Sequence, residues 1–189
     1  MLSRLFYTAN SVFLAALCLL SSSCMHKTLI NDKVFERTGS FYIVEKNSSN
    51  ILRAFQGTFF WNDCDEYYEM GLSNFFGKRE VYLKVSHENA LLRTADGFYL
   101  QSLDVDSLVS QFLGYKIPMN SLRLWLKGSF AYNDFPEKLL TDKFNKPSSF
   151  MFSEWEVNLS SYDIFGPRKI ILQKTQENSS ITIKLIVKN

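Results

Sequence analysis

From Thr38 to Val187 the apolar positions recur mostly at every second residue, and in one interval at every third or fourth. The first spacing predicts strands, whose successive side chains point to opposite faces, and the second predicts helix. Ile181, Ile183, Leu185 and Val187 alternate with Thr182, Lys184, Ile186 and Lys188 in the clearest strand of the chain. Trp155, Val157 and Leu159 mark another, and residues 169–172 form one after the Gly166-Pro167 turn. Val81, Leu83 and Val85 alternate with Tyr82, Lys84 and Ser86, while Tyr68, Met70 and Leu72 share one face. Residues 41–44 are apolar on both faces, and residues 91–94 make a short strand before the Asp96-Gly97 tight turn. Residues 51–61 read as a long strand in which Gly57 is expected to mark a bulge or bend.

Between residues 104 and 127 the period lengthens. Val105, Leu108, Val109 and Phe112 share one face of a helix over 104–112, which Gly114 ends. Met119, Leu122, Trp125 and Leu126 share one face of a second helix over 118–127, with Pro118 in its first turn and Gly128 as its stop. Many strands around one helical insertion predict a mainly β (α+β) fold: a curved antiparallel sheet or barrel, the helices on its concave side or capping its mouth.

The first residues do not belong to that pattern. Arg4 is followed by an unbroken apolar run from Val12 to Leu20 and then by Ser21, Ser22, Ser23 and Cys24. That order predicts a bacterial export signal over residues 1–23, cleaved before a cysteine that takes a covalent lipid. Ser21 stands where a lipoprotein signal commonly has leucine, and Cys18 lies inside the apolar run. An uncleaved anchor helix is the other reading, although the run is shorter than the ~20 residues that span a bilayer. Residues 24–35 then form a lipidated tether and residues 36–189 one domain.

Composition narrows the chemistry. Apolar residues make up 46% of the chain, enough for a packed core, and its 17 phenylalanines suit a core, an apolar cavity or an adhesive surface. The formal net charge of +2 falls by one with Arg4, too little to steer the domain to nucleic acid. No spacing of His26, His87 and the acids forms a metal site, and no catalytic nucleophile motif is present. Residues 71–78 resemble a phosphate loop but have five residues between the glycines and Arg79 in place of Ser or Thr. Asp63, Asp65 and Glu66 read as a solvated hairpin turn, and Cys64 as a turn residue without reactivity. A non-enzyme without metal or cofactor is expected.

Asn74-Phe75-Phe76-Gly77 joins two strands, and adjacent phenylalanines are unusual in such a turn. Two arrangements are open. One ring folds back over the sheet edge, or the pair forms a protruding apolar tip for a lipid surface, with Lys78 and Arg79 reaching headgroups.

Residues 114–128, Gly-Tyr-Lys-Ile-Pro-Met-Asn-Ser-Leu-Arg-Leu-Trp-Leu-Lys-Gly, resemble the central signature of the LolB family of outer-membrane lipoprotein receptors. Phe59-Phe60-Trp61, the Asn74–Gly77 turn, the Trp155-Glu156-Val157 strand with Tyr162, and the segment from Pro167 onward resemble family segments in the same order. The resemblance implies a half-open antiparallel barrel with a helical lid over an apolar cavity. It implies a monomeric lipoprotein, anchored through Cys24 on the periplasmic face of the outer membrane. Such a protein accepts acylated lipoprotein clients from a LolA-like periplasmic carrier and inserts them among outer-membrane phospholipids. Insertion falls by position on Phe76, with Phe75 in place of the family's proline. Candidate cavity-lining residues are Phe59, Trp61, Leu83, Leu122, Trp125 and Leu126. The alternative is a lipid-binding or structural lipoprotein of the same fold without transfer activity.

Overall fold

The computed structural model describes residues 34–47, 50–131 and 136–188. The export signal, Cys18, Cys24 and nearly all of the tether lie outside the described residues. Residues 33–189 form one compact unit with its own core.

The alternating segments become an antiparallel sheet, eleven-stranded among the described residues. The first meander is β1 (Phe35–Asn47), β2 (Ile51–Cys64), β3 (Tyr67–Ser73), β4 (Arg79–Ser86), β5 (Ala90–Thr94) and β6 (Tyr99–Ser102). Helices α1 (Val105–Leu113) and α2 (Met119–Leu126) follow. The second meander is β7 (Glu137–Thr141), β8 (Pro147–Phe152), β9 (Trp155–Tyr162), β10 (Pro167–Gln176) and β11 (Ser179–Val187). The strand order is β6-β5-β4-β3-β2-β1-β11-β10-β9-β8-β7. The long central strand β1 therefore joins the two meanders, pairing with β2 and β11, with Gly39 opposite both Phe59 and Val187. The sheet is not closed, since β6 and β7 are separate edges, and the chain passes from one to the other through the two helices.

Side-chain parity places the core. Phe41 and Ile43 of β1, Ile181, Ile183, Leu185 and Val187 of β11, and Trp155, Val157 and Leu159 of β9 are buried in one cluster. Val105, Leu108 and Val109 of α1 and Met119, Leu122, Trp125 and Leu126 of α2 belong to the same cluster, so the apolar stripes of both helices meet the sheet. Asp104 caps α1 by accepting from the Asp106 and Ser107 N–H groups, and Gly114 ends it with a φ of 88°. Pro118 gives α2 no side-chain cap. Instead, the Asp106 carboxylate on α1 accepts from the Met119 N–H at 2.9 Å. The Trp125 ring packs edge-on to Phe150 and Phe152 of β8, each centroid 5.2 Å away.

Two expectations are corrected. Of the bulge or bend expected at Gly57, the bulge is not there: Gly57 pairs opposite Phe41 in unbroken register, and the shift lies between Glu45 and Lys46. Glycine is required there for room, because a Cβ would lie 1.9 Å from the Ser73 carbonyl oxygen. Gly71 is equally tight, but its Cβ would meet the Phe60 ring at 2.0 Å, a side chain able to swing aside. Gly57→Ala is therefore expected to cost ~3 kcal/mol or more and Gly71→Ala ~1 kcal/mol, read from urea unfolding midpoints. Equal costs would show that backbone crowding does not dominate at Gly57.

The second correction concerns Asp63. It is not part of a solvated turn; its side chain is fully buried. Arg123 Nε donates to its Oδ2 at 2.7 Å, and Lys127 Nζ lies 2.9 Å from the same oxygen. Asp63 ends up inside because it has the inward parity of Phe59 and Trp61 on β2, and α2 brings two cations to it. The turn itself is only Asp65 and Glu66, with Cys64 the last residue of β2, opposite Tyr67. A second ion pair, Arg37 Nη1 to Asp163 Oδ2 at 2.7 Å, fastens β1 to the β9–β10 turn.

Candidate functional site

The helices do not fill the whole inner face. Among the described residues an open cavity of about 820 Å³ remains between the sheet and α1. That is in the range of pockets that take small organic ligands, ~300–1,000 Å³. Phe41 and Ile43 of β1, Leu72 of β3 and Val81 of β4 make its apolar wall, with Phe112 and Leu113 from the end of α1. Phe55 from β2 and Phe98 from the β5–β6 turn complete it, and the Phe98 ring stacks on Phe112 at 6.2 Å. Polar groups sit among them: Arg53, Gln56, Asn74, Lys78, Glu80 and Asp96.

Asn74 and Lys78 belong to the β3–β4 turn, so the tip with the two phenylalanines is built on the cavity wall. Both rings stand in solvent, Phe75 85% and Phe76 91% exposed, crossed edge-to-face at 5.8 Å. Neither folds back over the sheet edge. The turn has no proline, and Asn74 holds it instead. Its Oδ1 accepts from the Phe76 and Lys78 N–H groups at 3.0 and 3.1 Å, and its Nδ2 donates to Glu80 at 2.8 Å. Gly77 closes the turn at φ 79°. The outcome is a hydrogen-bonded pedestal carrying apolar surface that nothing among the described residues covers.

The six candidate lining residues lie elsewhere on the inner face. Phe59, Trp61, Leu83, Leu122, Trp125 and Leu126 are packed at no more than 4% exposure, in the same cluster as Phe41 and Ile43. Trp61 stacks on Tyr68 at 4.8 Å. The cavity wall comes instead from residues with the same parity further along the same strands: Leu72 after Met70, Val81 before Leu83, and Phe55 before Phe59. Alternation was the signal that marked the face. How far along each strand the helices reach was not in it.

A second hollow of about 740 Å³ lies on the opposite face, between Phe60, Arg79, Tyr82 and Arg93. The Arg79 guanidinium stacks over Phe60 at 4.8 Å, and burial together with a hydrogen bond to Glu69 pushes the Tyr82 phenol up to about 12. Charged walls make it the poorer place for an apolar ligand.

An open antiparallel sheet whose inner face is part helix-packed core and part apolar hollow defines a protein built around an internal binding space. The chain belongs to the outer membrane lipoprotein LolB family, whose model matches residues 36–189. The outer-membrane lipoprotein LolB of Bordetella petrii is 34% identical over 177 residues, covering 92% of this chain and 89% of that one. That of Bordetella pertussis is 31% identical over 156 residues, covering 82% and 78%. That of Yersinia pseudotuberculosis is 28% identical over 157 residues, covering 80% and 72%. Among solved structures, the ywiB protein of Bacillus subtilis covers 84% of this chain and 97% of its own at 12% identity, with a TM-score of 0.29, too low to indicate a shared fold. Membership of the family places this chain among the lipid-anchored outer-membrane lipoproteins.

Proposed function

We propose that this protein receives acylated lipoproteins from a soluble periplasmic carrier, shelters their acyl chains in the cavity, and inserts them into the outer membrane. The observation that carries this reading is the joining of two features on one turn. The wall of an 820 Å³ apolar cavity and an exposed pair of phenylalanines share Asn74 and Lys78 as their base. Each buried acyl CH₂ contributes ~0.8 kcal/mol, so acyl chains cross water only when shielded. Passing them from one apolar pocket to another nearly conserves buried area and needs no nucleotide.

Cys24 carries the lipid anchor, and the protein acts as a monomer without metal or other cofactor. Helices α1 and α2 act as the lid. Phe112 and Leu113 already face the cavity from α1, and Leu122, Trp125 and Leu126 belong to the same buried cluster as Phe59, Trp61 and Leu83. Displacement of α2 would add those six side chains to the space available to acyl chains. Phe76, with Phe75 beside it, is the group that enters the membrane.

The test begins with a chain starting at Met25, which retains the whole compact unit. Mixed with a carrier loaded with labelled lipoprotein, it is expected to take the label and pass it to liposomes. Retention of the label by a carrier shown competent towards a known receptor would refute the transfer role.

A further inference from the structure

We infer that the outer edge of β2, residues 51–57, binds the extended peptide that follows the acylated cysteine of a lipoprotein, adding it to the sheet as a strand. The inference rests on the proposed function and names how the protein part of the cargo is held.

β2 pairs with β1 from Ile51 to Asp63, but with β3 only from Thr58, which stands opposite Ser73. Beyond Ser73 the chain has already turned into the Asn74–Lys78 tip. Residues 51–57 therefore have β1 on one side and, among the described residues, no strand on the other. Such an edge presents a row of N–H and C=O groups with no ladder partner, a template for another chain. The two terminal edges of the sheet are shortened instead, β6 to four residues and β7 to five. The β2 edge is defended only at its start, where Leu52 is an extra residue between the pairs Ile51–Lys46 and Arg53–Glu45, and residues 54–57 pair with β1 in unbroken register. It contains no proline, and its one charged residue, Arg53, lies 3.7 Å from Glu45 on β1.

Position decides what the edge takes. Arg53, Phe55 and Gln56 line the cavity. Gln56, Gly57 and Thr58 line a hollow of about 560 Å³ that also includes Tyr42, Ile186 and Phe75. The free edge thus runs along one side of the cavity and ends beside the apolar tip. A ligand whose acyl chains occupy the cavity, and whose polypeptide begins at the same atom, leaves alongside this edge. An acylated cysteine heading an extended peptide has that shape. Backbone pairing reads no side chains, which suits a site that must accept many sequences behind one lipid group.

The experiment is amide hydrogen exchange on the chain beginning at Met25, with three probes. The first is a synthetic peptide headed by a triacylated cysteine and long enough to cover the edge. The second is the triacylated cysteine amide alone, and the third is the first with alternate backbone nitrogens methylated. All three are expected to bind through their acyl chains. Only the first should slow exchange at alternate amides within 51–57, by about tenfold or more. Equal protection by the second or third probe would overturn the inference, as would binding of all three without protection there; both outcomes leave the transfer function standing. Failure of all three to bind would overturn the function and the inference together. Protection that grows with protein concentration in the absence of any probe would assign the edge to a second copy of this chain and likewise overturn it.

Discussion

Replacing Phe76 by glutamate is expected to leave loading from the carrier unchanged and to abolish delivery to the membrane. The ring is 91% exposed and forms no part of the cavity wall, so uptake does not depend on it. Asn74 holds the turn through the Phe76 N–H and not through its ring, so the tip keeps its shape in the variant. Transfer of a phenylalanine side chain from water to an apolar phase gains ~1.5–3 kcal/mol, or about 10- to 100-fold in the population of the inserted state. A carboxylate adds a penalty of its own. Loading is read as label bound to the variant, and delivery as label recovered in liposomes. Phe76→Leu keeps a large apolar group and is expected to deliver nearly as well. Normal delivery by the glutamate variant would remove Phe76 from the mechanism.

A stability effect comparable to that at Gly57 is expected at Asp63. Asp63→Ala leaves Arg123 and Lys127 without their shared anion, and breaking such a pair costs ~3–5 kcal/mol. Both cations keep some contact with solvent, so the lower end, about 3 kcal/mol, is expected. Because the pair joins β2 to α2, the loss should appear first as faster hydrogen exchange over Met119–Leu126 and then in the urea midpoint. A change confined to the ends of β2, with α2 unaffected, would contradict this role.

The same carboxylate sets an acid limb. Burial by itself raises the Asp63 pKa, but hydrogen bonds from Arg123 and Lys127 outweigh it and hold the group below its ordinary 3.8. A depressed folded-state pKa stabilises fully above the ordinary carboxylate range. That contribution is lost as pH falls through the lowered value. Stability should therefore fall on acidification below about pH 4, and less steeply in Asp63→Ala. Identical acid limbs in the two proteins would show that Asp63 is not the group responsible.

Much of this was legible in the chain. The strong alternations became β4, β9 and β11, and the two apolar stripes between residues 104 and 127 became α1 and α2, because each pattern is repeated enough to bury one face. The strands β6, β7 and β8 escaped that reading. They are four to six residues long, lie at or beside the sheet edges, and β8 opens on Pro147, so few of their positions need to be apolar.

What the sequence by itself determined is local: the period of each element, the turn and cap residues, the paired phenylalanines that no buried face calls for, and the family these segments belong to. What only the tertiary structure decided depends on pairing at long range. Asp63 looked like one acid in an acidic turn, and only its parity on β2 and an arginine 60 residues away make it a buried anchor. The cavity wall differs from the packed core only in how far the helices extend along strands of common parity. The free edge of β2 exists because β3 turns back at Ser73 while β1 and β2 continue, an offset in register that no single strand's pattern contains.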